Sequence, residues 1–385
     1  MQVLPRAIYL DYNATTPVDP QVFAAMEPYF KTHFGNPSSF SHQWGWAAQK
    51  ATETARQKVA KFIHAKPLEI FFTSGATEAN NWVIFGLIEK LRAENASAPI
   101  HFITSTVEHS SVANAMKEAQ RRGVEVDFIK PNVYGQVELS SVKKMLKPHT
   151  RLLSFIWVNN EIGSINPLPE LALLAKERKI YLHSDATQAV GKVPVSLEDT
   201  PVDFLTASAH KFYGPKGVGF LYIRSSNPKV TLPAFIFGGG QEQGQRSGTL
   251  NVPGIVGLGE ACAVCEKTLA EEWARTTELR HYLWKAIQEK FPQATLNGHP
   301  TERSPINLSV TFPNKNIEAL LPKLGRLAFS QGSACHTGTL QMSPVLTEIG
   351  LDVAAAQGTL RLSLGRWTTF EELDTAVEIL ANALK

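Results

Sequence analysis

The chain has 385 residues, of which 43% are hydrophobic and 19% are charged. This length exceeds that of a small disulfide-stapled module and fits one large or two ordinary domains, and the composition is that of a soluble globular protein. The 38 basic and 35 acidic residues leave a net charge of only +3 without blocks of like charge, which argues against a nucleic acid or a membrane surface as the partner.

The N-terminal sequence and the cysteine content help to predict the cellular compartment of the protein. Residues 1–5 run directly into the strand-like residues 7–10, and no stretch reaches the length of a membrane span, so we expect neither a signal peptide nor a transmembrane helix. Three cysteines, Cys262, Cys265 and Cys335, are too few for a disulfide framework and favour a reducing compartment. We therefore predict a cytoplasmic protein.

Short apolar runs alternate with segments of helical periodicity between residues 70 and 223. This alternation predicts parallel βαβ units. The predicted strands are residues 70–72, 100–103, 124–129, 152–158, 180–183, 204–207 and 217–223. A helix is predicted after the first strand, and further helices are predicted at residues 112–122 and 169–179, on the spacing of their apolar residues.

The sequence pattern of the C-terminal third of the chain predicts a second structural unit. A long helical pattern begins at residues 254–270, and a strand at residues 306–312 precedes a helix at residues 370–384. We therefore predict an α/β fold with two domains. The large domain, residues 15–262, has a mostly parallel sheet flanked by helices, and the smaller α+β domain is formed by residues 1–14 and 263–385.

Polar segments follow five of the predicted strands, where ligands bind in an open parallel sheet. They are Gly75-Ala76-Thr77, Glu108-His109-Ser110, Asn159-Asn160-Glu161, Asp185-Ala186-Thr187-Gln188 and Ser208-Ala209-His210-Lys211. The first opens a helix, whose free N–H groups suit a phosphate. Taken alone, each also fits a plain structural role as a helix cap, a structural histidine or a solvated lysine.

The five segments together favour pyridoxal 5'-phosphate as a cofactor. This cofactor needs a lysine that forms a Schiff base, a carboxylate for its pyridinium nitrogen and a site for its phosphate. Lys211, Asp185 and the turn at residues 75–77 supply these three groups. The agreement between segments carries more weight than any one of them.

Ten short motifs follow one another between residues 10 and 365: LDYNATTP, GNPSS, FTSGATEAN, EHS, NNEIG, DATQAVGK, SAHKFYGPKGVG, GGGQEQGQRSGT, GSACHTG and LRLSLG. In this order they resemble the cysteine desulfurases of the NifS/IscS type, which are class V members of the aminotransferase superfamily with pyridoxal phosphate fold type I. The resemblance covers nearly the whole chain. It implies a homodimeric enzyme that converts L-cysteine to L-alanine.

The resemblance also implies roles around the cofactor ring. Lys211 would hold the cofactor as a Schiff base and, once released, move the α-proton of the substrate. Asp185 would pair with the ring nitrogen, and His109 would stack on the ring and move protons. Gln188 and Asn160 would lie at the phenolate oxygen of the ring.

Further residues are implied for the phosphate. Ala76, Thr77, Ser208 and His210 would surround it within one subunit. Thr249 of the partner subunit would reach the same phosphate, which makes the homodimer part of the site.

The substrate would be held and cleaved by three other residues. Arg361 in LRLSLG would bind the α-carboxylate through two hydrogen bonds, and Asn36 in GNPSS would assist. Cys335 lies among small and polar residues that do not suit a packed core, which predicts an accessible thiol. By resemblance, Cys335 takes the sulfur as a persulfide. It then passes the sulfur to an acceptor or iron–sulfur scaffold protein, with transient cluster ligation by the same thiol.

The other two cysteines form a CxxC pair. Cys262 and Cys265 are surrounded by residues that fit a helix, where positions three apart share a face. Two ligands without two more nearby make a poor zinc site. We therefore predict that both cysteines pack in the protein interior, and we predict no metal site.

Other functions share this fold or these motifs. A selenocysteine lyase, or a cystine or cysteine C–S lyase, would use the same cofactor, and an aminotransferase would use the same fold. Cys335 argues against a C–S lyase without an enzyme thiol and against an aminotransferase, but it does not exclude selenium specificity. A non-catalytic sulfur carrier is opposed by Lys211, Asp185 and His109.

Overall fold

The computed structural model describes residues 7–226, 228–331 and 343–385. The strands are β1 (Ile8–Tyr9), β2 (Ile70–Thr73), β3 (His101–Ser105), β4 (Glu125–Ile129), β5 (Thr150–Ile156), β6 (Tyr181–Asp185), β7 (Phe204–Ser208), β8 (Gly219–Ile223), β9 (Thr295–Leu296), β10 (Asn307–Thr311), β11 (Leu327–Ala328), β12 (Ser330–Gln331) and β13 (Thr359–Ser363). The helices are α1 (Pro20–Met26), α2 (Pro28–Lys31), α3 (Gln43–Phe62), α4 (Ala76–Glu94), α5 (Ser110–Arg121), α6 (Leu139–Met145), α7 (Leu168–Arg178), α8 (Val252–Lys290), α9 (Ile317–Leu324), α10 (Pro344–Glu348), α11 (Val353–Gln357) and α12 (Phe370–Ala383).

The larger sheet has seven strands in the order β2-β8-β7-β6-β5-β3-β4. From β7 to β4 neighbouring strands pair in parallel, whereas β8 pairs antiparallel with both β2 and β7. The prediction of an α/β fold with a mostly parallel sheet is confirmed, and the predicted strands lie within two residues of the observed ones. Apolar periodicity does not reveal whether a strand runs parallel or antiparallel to its neighbours. The antiparallel direction of β8 is therefore known only from the structure.

Helices cover both faces of this sheet. Successive side chains of a strand point to opposite faces, and Phe71 and Phe72 of β2 accordingly enter different cores. Phe71 packs among the buried residues of α4 and α5, whereas Phe72 packs among those of α3, α7 and α8. Because both faces are covered, the strands are nearly continuous apolar runs, which is why they could be read from the sequence.

A second, smaller sheet packs against the C-terminal helices. Its four strands are antiparallel in the order β12-β13-β10-β9. Residues 8–12 join its core together with α12 and the C-terminal half of α8. Helix α8 continues from Val252 to Lys290, so the predicted boundary after residue 262 falls inside it, and the domain limits stay a prediction. Within the described ranges, no helix is both long and apolar enough to cross a membrane.

A buried ion pair joins α3 to the edge of the larger sheet. Arg56 donates to both carboxylate oxygens of Glu242, at 2.7 and 3.0 Å, and Glu242 also accepts from the backbone N–H of Phe72 at 2.8 Å. The Arg56 guanidinium also contacts Glu53, whose side chain is 53% exposed, whereas that of Glu242 is 1% exposed. The two carboxylates therefore contact one cation from very different environments.

Replacing the buried carboxylate should destabilise the fold much more than replacing the exposed one. We expect Glu242→Gln to lower the free energy of unfolding by about 3 kcal/mol, because Arg56 then loses its buried counter-charge and keeps only the exposed carboxylate of Glu53. The matched change Glu53→Gln should cost less than about 1 kcal/mol. Urea unfolding followed by circular dichroism measures both, and equal losses would contradict the assignment.

Candidate active site

A cavity of about 530 Å³ opens at the carboxyl ends of the parallel strands. Such a position is expected because the loops that follow parallel strands all leave the sheet at one edge. The structure brings ten of the predicted site residues to its walls: Ala76, Thr77, His109, Asn160, Asp185, Gln188, Ser208, His210, Lys211 and Arg361. Sequence motifs from both halves of the chain thus meet in one place.

The N-terminus of α4 forms an anion-binding wall of this cavity. Gly75 stands at the N-cap with φ +154, and no side chain caps the first turn, so the N–H groups of Ala76 and Thr77 lack helical acceptors. A side chain at Gly75 would strain the backbone at this φ, although its Cβ would lie at an ordinary contact distance of 3.5 Å from Ser208 Oγ. The turn therefore exposes N–H groups at a position where glycine is favoured, which suits a phosphate.

An arginine balances the negative charge of a carboxylate near this wall. Glu78 also lines the cavity, and it accepts hydrogen bonds from Arg246 at 2.8 and 3.1 Å. Burial raises the pKa of Glu78, but the bonds from Arg246 and Ser74 outweigh it and the pKa is lowered. The ion pair keeps a negative side chain from opposing a bound phosphate. The sequence analysis missed both partners, which are 168 positions apart.

Lys211 ends a single 3-10 turn after β7, formed by Ala209–Lys211. Its Nζ donates to the carbonyl oxygens of Asn13 at 2.8 Å and Ala14 at 2.7 Å. Burial, followed by the charge of Arg361, lowers the pKa of Lys211 to about 8. A substantial fraction of the amine is therefore neutral near physiological pH, as a Schiff-base lysine requires.

Asp185 ends β6 and is only 2% exposed. Its Oδ1 accepts from the backbone N–H of Thr187 at 3.0 Å, and its Oδ2 accepts from Asn80 Nδ2 at 2.9 Å. Hydrogen bonds from neutral donors stabilise the carboxylate without cancelling its charge. A carboxylate in this state can pair with a protonated ring nitrogen in the cavity.

The Gln188 side chain and the Asn160 carbonyl are each held by two hydrogen bonds. Gln188 Nε2 donates to Asn13 O at 2.9 Å, and its Oε1 accepts from the buried Lys192. The carbonyl of Asn160 accepts from Asn13 Nδ2 at 3.2 Å and from Arg361 Nη1 at 2.9 Å. Asn13, which no part of the sequence analysis assigned, thus contacts three predicted site residues, and its motif LDYNATTP was the available signal.

Arg361 projects from β13 of the smaller sheet. Its Nη2 donates to Asp11 Oδ1 at 2.7 Å and to Ser330 Oγ at 2.8 Å. Its Nε is buried and has no hydrogen-bond partner among the described residues. The guanidinium is therefore positioned at the cavity, but this Nε is closed to solvent, so a carboxylate would have to bind through Nη1 or Nη2.

Three predicted site residues are not brought to the cavity walls of the described chain. Asn36 is exposed, and its Oδ1 accepts from the backbone N–H of Ser38 at 2.9 Å. Thr249 is exposed as well. Cys335 lies outside the described residues. The roles of all three stay predictions.

The CxxC pair lies inside the protein. Cys262 and Cys265 are buried on α8, and both are free thiols. Burial raises the pKa of the Cys265 thiol to about 12 and raises that of Cys262 as well. Thiols in this state are poor nucleophiles and poor ligands. The prediction that they pack in the interior is confirmed.

Known proteins resemble this chain over its whole length. Residues 8–375 match the model of the family "Aminotransferase class-V". The cysteine desulfurase IscS of Anaeromyxobacter dehalogenans is 43% identical over 378 residues, which cover 98% of this chain and 92% of that protein. The human cysteine desulfurase is 41% identical over 373 residues, covering 97% of this chain and 80% of that protein.

Solved structures agree with this assignment. A NifS-like protein superposes with a TM-score of 0.90 at 36% identity, covering 98% of this chain and 99% of that one. The protein SspA, solved in complex with cysteine, superposes with a TM-score of 0.81 at 35% identity, covering 94% of this chain and 99% of the other. The chain therefore belongs to the class V aminotransferases and, within that family, to the cysteine desulfurases of the NifS/IscS type.

Proposed function

We propose that this cysteine desulfurase uses pyridoxal 5'-phosphate to convert L-cysteine to L-alanine and takes the sulfur as a persulfide on Cys335. One observation carries the proposal. A single cavity holds a lysine with a lowered pKa, a buried carboxylate, an uncapped helix N-terminus and an arginine. These are the groups that the cofactor and an amino acid substrate require together.

The residues of the cavity fit the cofactor. Its phosphate would lie at the N–H groups of Ala76 and Thr77, with Ser208 and His210 beside them. Asp185 would face the ring nitrogen, and Gln188 and Asn160 would face the phenolate side. When bound, pyridoxal phosphate supplies an electron sink that stabilises negative charge developing on the substrate.

The side chains around the substrate have separate tasks. Arg361 binds the α-carboxylate and so orients the amino acid toward Lys211. The neutral Lys211 Nζ accepts the α-proton and returns a proton to the product. His109 lines the same cavity and provides a second group that can hold a proton.

Sulfur transfer to Cys335 balances without an outside oxidant. The carbon–sulfur bond of L-cysteine breaks, a sulfur–sulfur bond to Cys335 forms, and the substrate carbon gains a proton to become alanine. Cys335 follows Ser330 by five residues, a stretch that spans at most about 17 Å. Because Ser330 contacts Arg361, that length is compatible with attack at the cavity.

Selenocysteine lyase remains the second candidate. It would need the same cavity, and the contacts of Lys211 and Asp185 do not distinguish sulfur from selenium. The sequence identity of 43% and 41% to two relatives that are named cysteine desulfurase favours sulfur over selenium.

We propose a homodimer in which Thr249 contributes to the partner's site, while Asn36 assists Arg361 in binding the substrate. Large aromatic side chains are exposed on the same chain segments: Phe34, Phe40, Trp44 and Phe237. Exposed apolar side chains in this density are typical of a protein interface. A sulfur acceptor or an iron–sulfur scaffold protein would be a further, transient partner.

A cytoplasmic location remains our proposal, supported by the reducing conditions that a persulfide-forming thiol needs. A 42% identical relative is named as a mitosomal cysteine desulfurase in Trachipleistophora hominis. The name of that relative places it in a different compartment.

Cys335→Ser should abolish transfer of sulfur without preventing cofactor binding. We expect the visible absorbance of the cofactor to stay, whereas alanine formation from L-cysteine falls at least about a hundredfold because the nucleophile is lost. Intact-mass analysis should find one added sulfur on the Cys335 peptide of the wild type. The change Cys262→Ser is the matched control, and sulfur on Cys262 or full activity of Cys335→Ser would contradict the proposal.

The lowered pKa of Lys211 predicts how cofactor uptake depends on pH. The amine reacts only when neutral, so the rate at which cofactor-free protein takes up pyridoxal phosphate should rise with pH and level off above about 8. Stopped-flow absorbance measures the rate. Lys211→Ala should give no Schiff-base absorbance, and a rate that is flat or falls between pH 7 and 9 would contradict the assignment.

Mixing two inactive variants tests whether Thr249 acts on the partner subunit. In a mixed dimer of Lys211→Ala and Thr249→Ala chains, one site has its own Lys211 and the intact Thr249 of the partner subunit. We expect random mixing to restore about a quarter of the wild-type activity at limiting cofactor, since half of the dimers then hold one complete site. No gain over the separate variants would mean that Thr249 does not act across the interface.

A further inference from the structure

A chain of hydrogen bonds joins Asp185 to His109 through two side chains that the motifs did not assign. These are Asn80 on α4 and Ser111 in the first turn of α5. Asn80 Nδ2 lies 2.9 Å from Asp185 Oδ2 and 2.9 Å from Ser111 Oγ. Ser111 Oγ in turn lies 2.8 Å from His109 Nδ1. The two groups that would contact the cofactor ring are therefore connected through protein atoms.

The Asn80 amide is held in one orientation. A carboxylate accepts hydrogen bonds, so the Asn80 atom that faces Asp185 is the NH2 group. On its other side, Thr206 Oγ1 donates to Asn80 Oδ1 at 2.6 Å. Asn80 and Thr206 are fully buried, which keeps water from replacing these partners. Both amide protons of Asn80 are thus committed, one to Asp185 and one to Ser111.

This orientation fixes the direction of the next hydrogen bond. Because Ser111 Oγ accepts from Asn80, its own proton is left to donate to His109 Nδ1. The backbone N–H of Ser111 also donates to this nitrogen, at 3.2 Å. Two donors converge on Nδ1, so it carries a lone pair and the neutral ring holds its proton on Nε2.

We propose that Asn80 and Ser111 are positioning residues for the desulfurase reaction. They fix the Nε2–H tautomer of His109 and hold its ring relative to Asp185. The inference rests on the proposed function, in which His109 lies against the cofactor and moves protons. A histidine in a fixed tautomer presents its proton at one atom, so any transfer by His109 occurs at Nε2.

The tautomer can be measured directly. Long-range proton–nitrogen correlation spectra of protein with nitrogen-15 histidine report which ring nitrogen is protonated, and His109→Gln assigns the signals of His109. We expect the wild type to carry the Nε2–H form, with or without pyridoxal phosphate. Ser111→Ala should raise the fraction of His109 in the Nδ1–H form, because only the longer backbone contact of 3.2 Å then donates to Nδ1. Asn80→Ala should raise this fraction less, because the Ser111 hydroxyl remains but loses the donor that directs its proton.

Conservative variants separate positioning from folding. Ser111→Thr keeps a hydroxyl and should retain the wild-type tautomer, and Ser110→Ala, an exposed neighbour, is the matched control. We expect Ser111→Ala to lower kcat about tenfold, with KM for L-cysteine within about twofold of the wild type. A wild-type Nδ1–H form, or His109 signals unchanged in both alanine variants, would overturn the proposal.

The two proposals fail in different ways. If the wild type formed no alanine from L-cysteine, the proposed function would be wrong. The tautomer measurement needs no turnover, and it would still decide whether Asn80 and Ser111 control the protonation of His109.

Discussion

The cavity depends on the N-terminal segment, residues 10–16, which hydrogen-bonds to the smaller sheet and to the lysine at the same time. Ser363 N of β13 donates to Leu10 O at 2.7 Å, and Asn13 N donates to Ser363 Oγ at 2.9 Å. The carbonyl of Asn13 then accepts from Lys211 Nζ at 2.8 Å. A buried amine must find acceptors in place of water. The packing of the smaller sheet and the position of Lys211 therefore depend on the same N-terminal segment.

The balance of charges in the cavity follows from this arrangement. Burial, with Lys211 and Arg361 nearby, lowers the pKa of Lys192 well below its usual value. Burial and Arg361 lower that of Lys211 in the same way, against smaller opposing effects of Asp185 and Asp11. Desolvation and neighbouring cations thus favour neutral amines. In the proposed function, a phosphate and an α-carboxylate would be the anions that this cavity accommodates, and binding them would raise the pKa of Lys211.

The sequence predicts what depends on local pattern and misses what depends on distant pairing. The strands could be predicted because they are buried on both faces. Asp185 and Lys211 could be predicted because they lie at, or just after, the ends of strands. Asn80 was missed because its partner Asp185 is 105 positions away, and Asp11 because Arg361 is 350 positions away. Polar residues in a buried network look like ordinary helix or loop residues until the chain is folded. Motif resemblance located these segments, but it assigned no contact to either residue.

In the proposed function, the pairing of Arg361 with Asp11 would limit how strongly a substrate carboxylate binds. A buried guanidinium without a counter-charge would be costly, and Asp11 provides the charge, with Ser330 and the Asn160 carbonyl as further partners. A substrate carboxylate at Nη2 therefore competes with one already present. Exchange of one carboxylate for another leaves the charge at the guanidinium unchanged, so the gain is a difference between two ion pairs. If Arg361 binds L-cysteine as proposed, the rest of the binding free energy would have to come from the amino group and the sulfur end of the molecule.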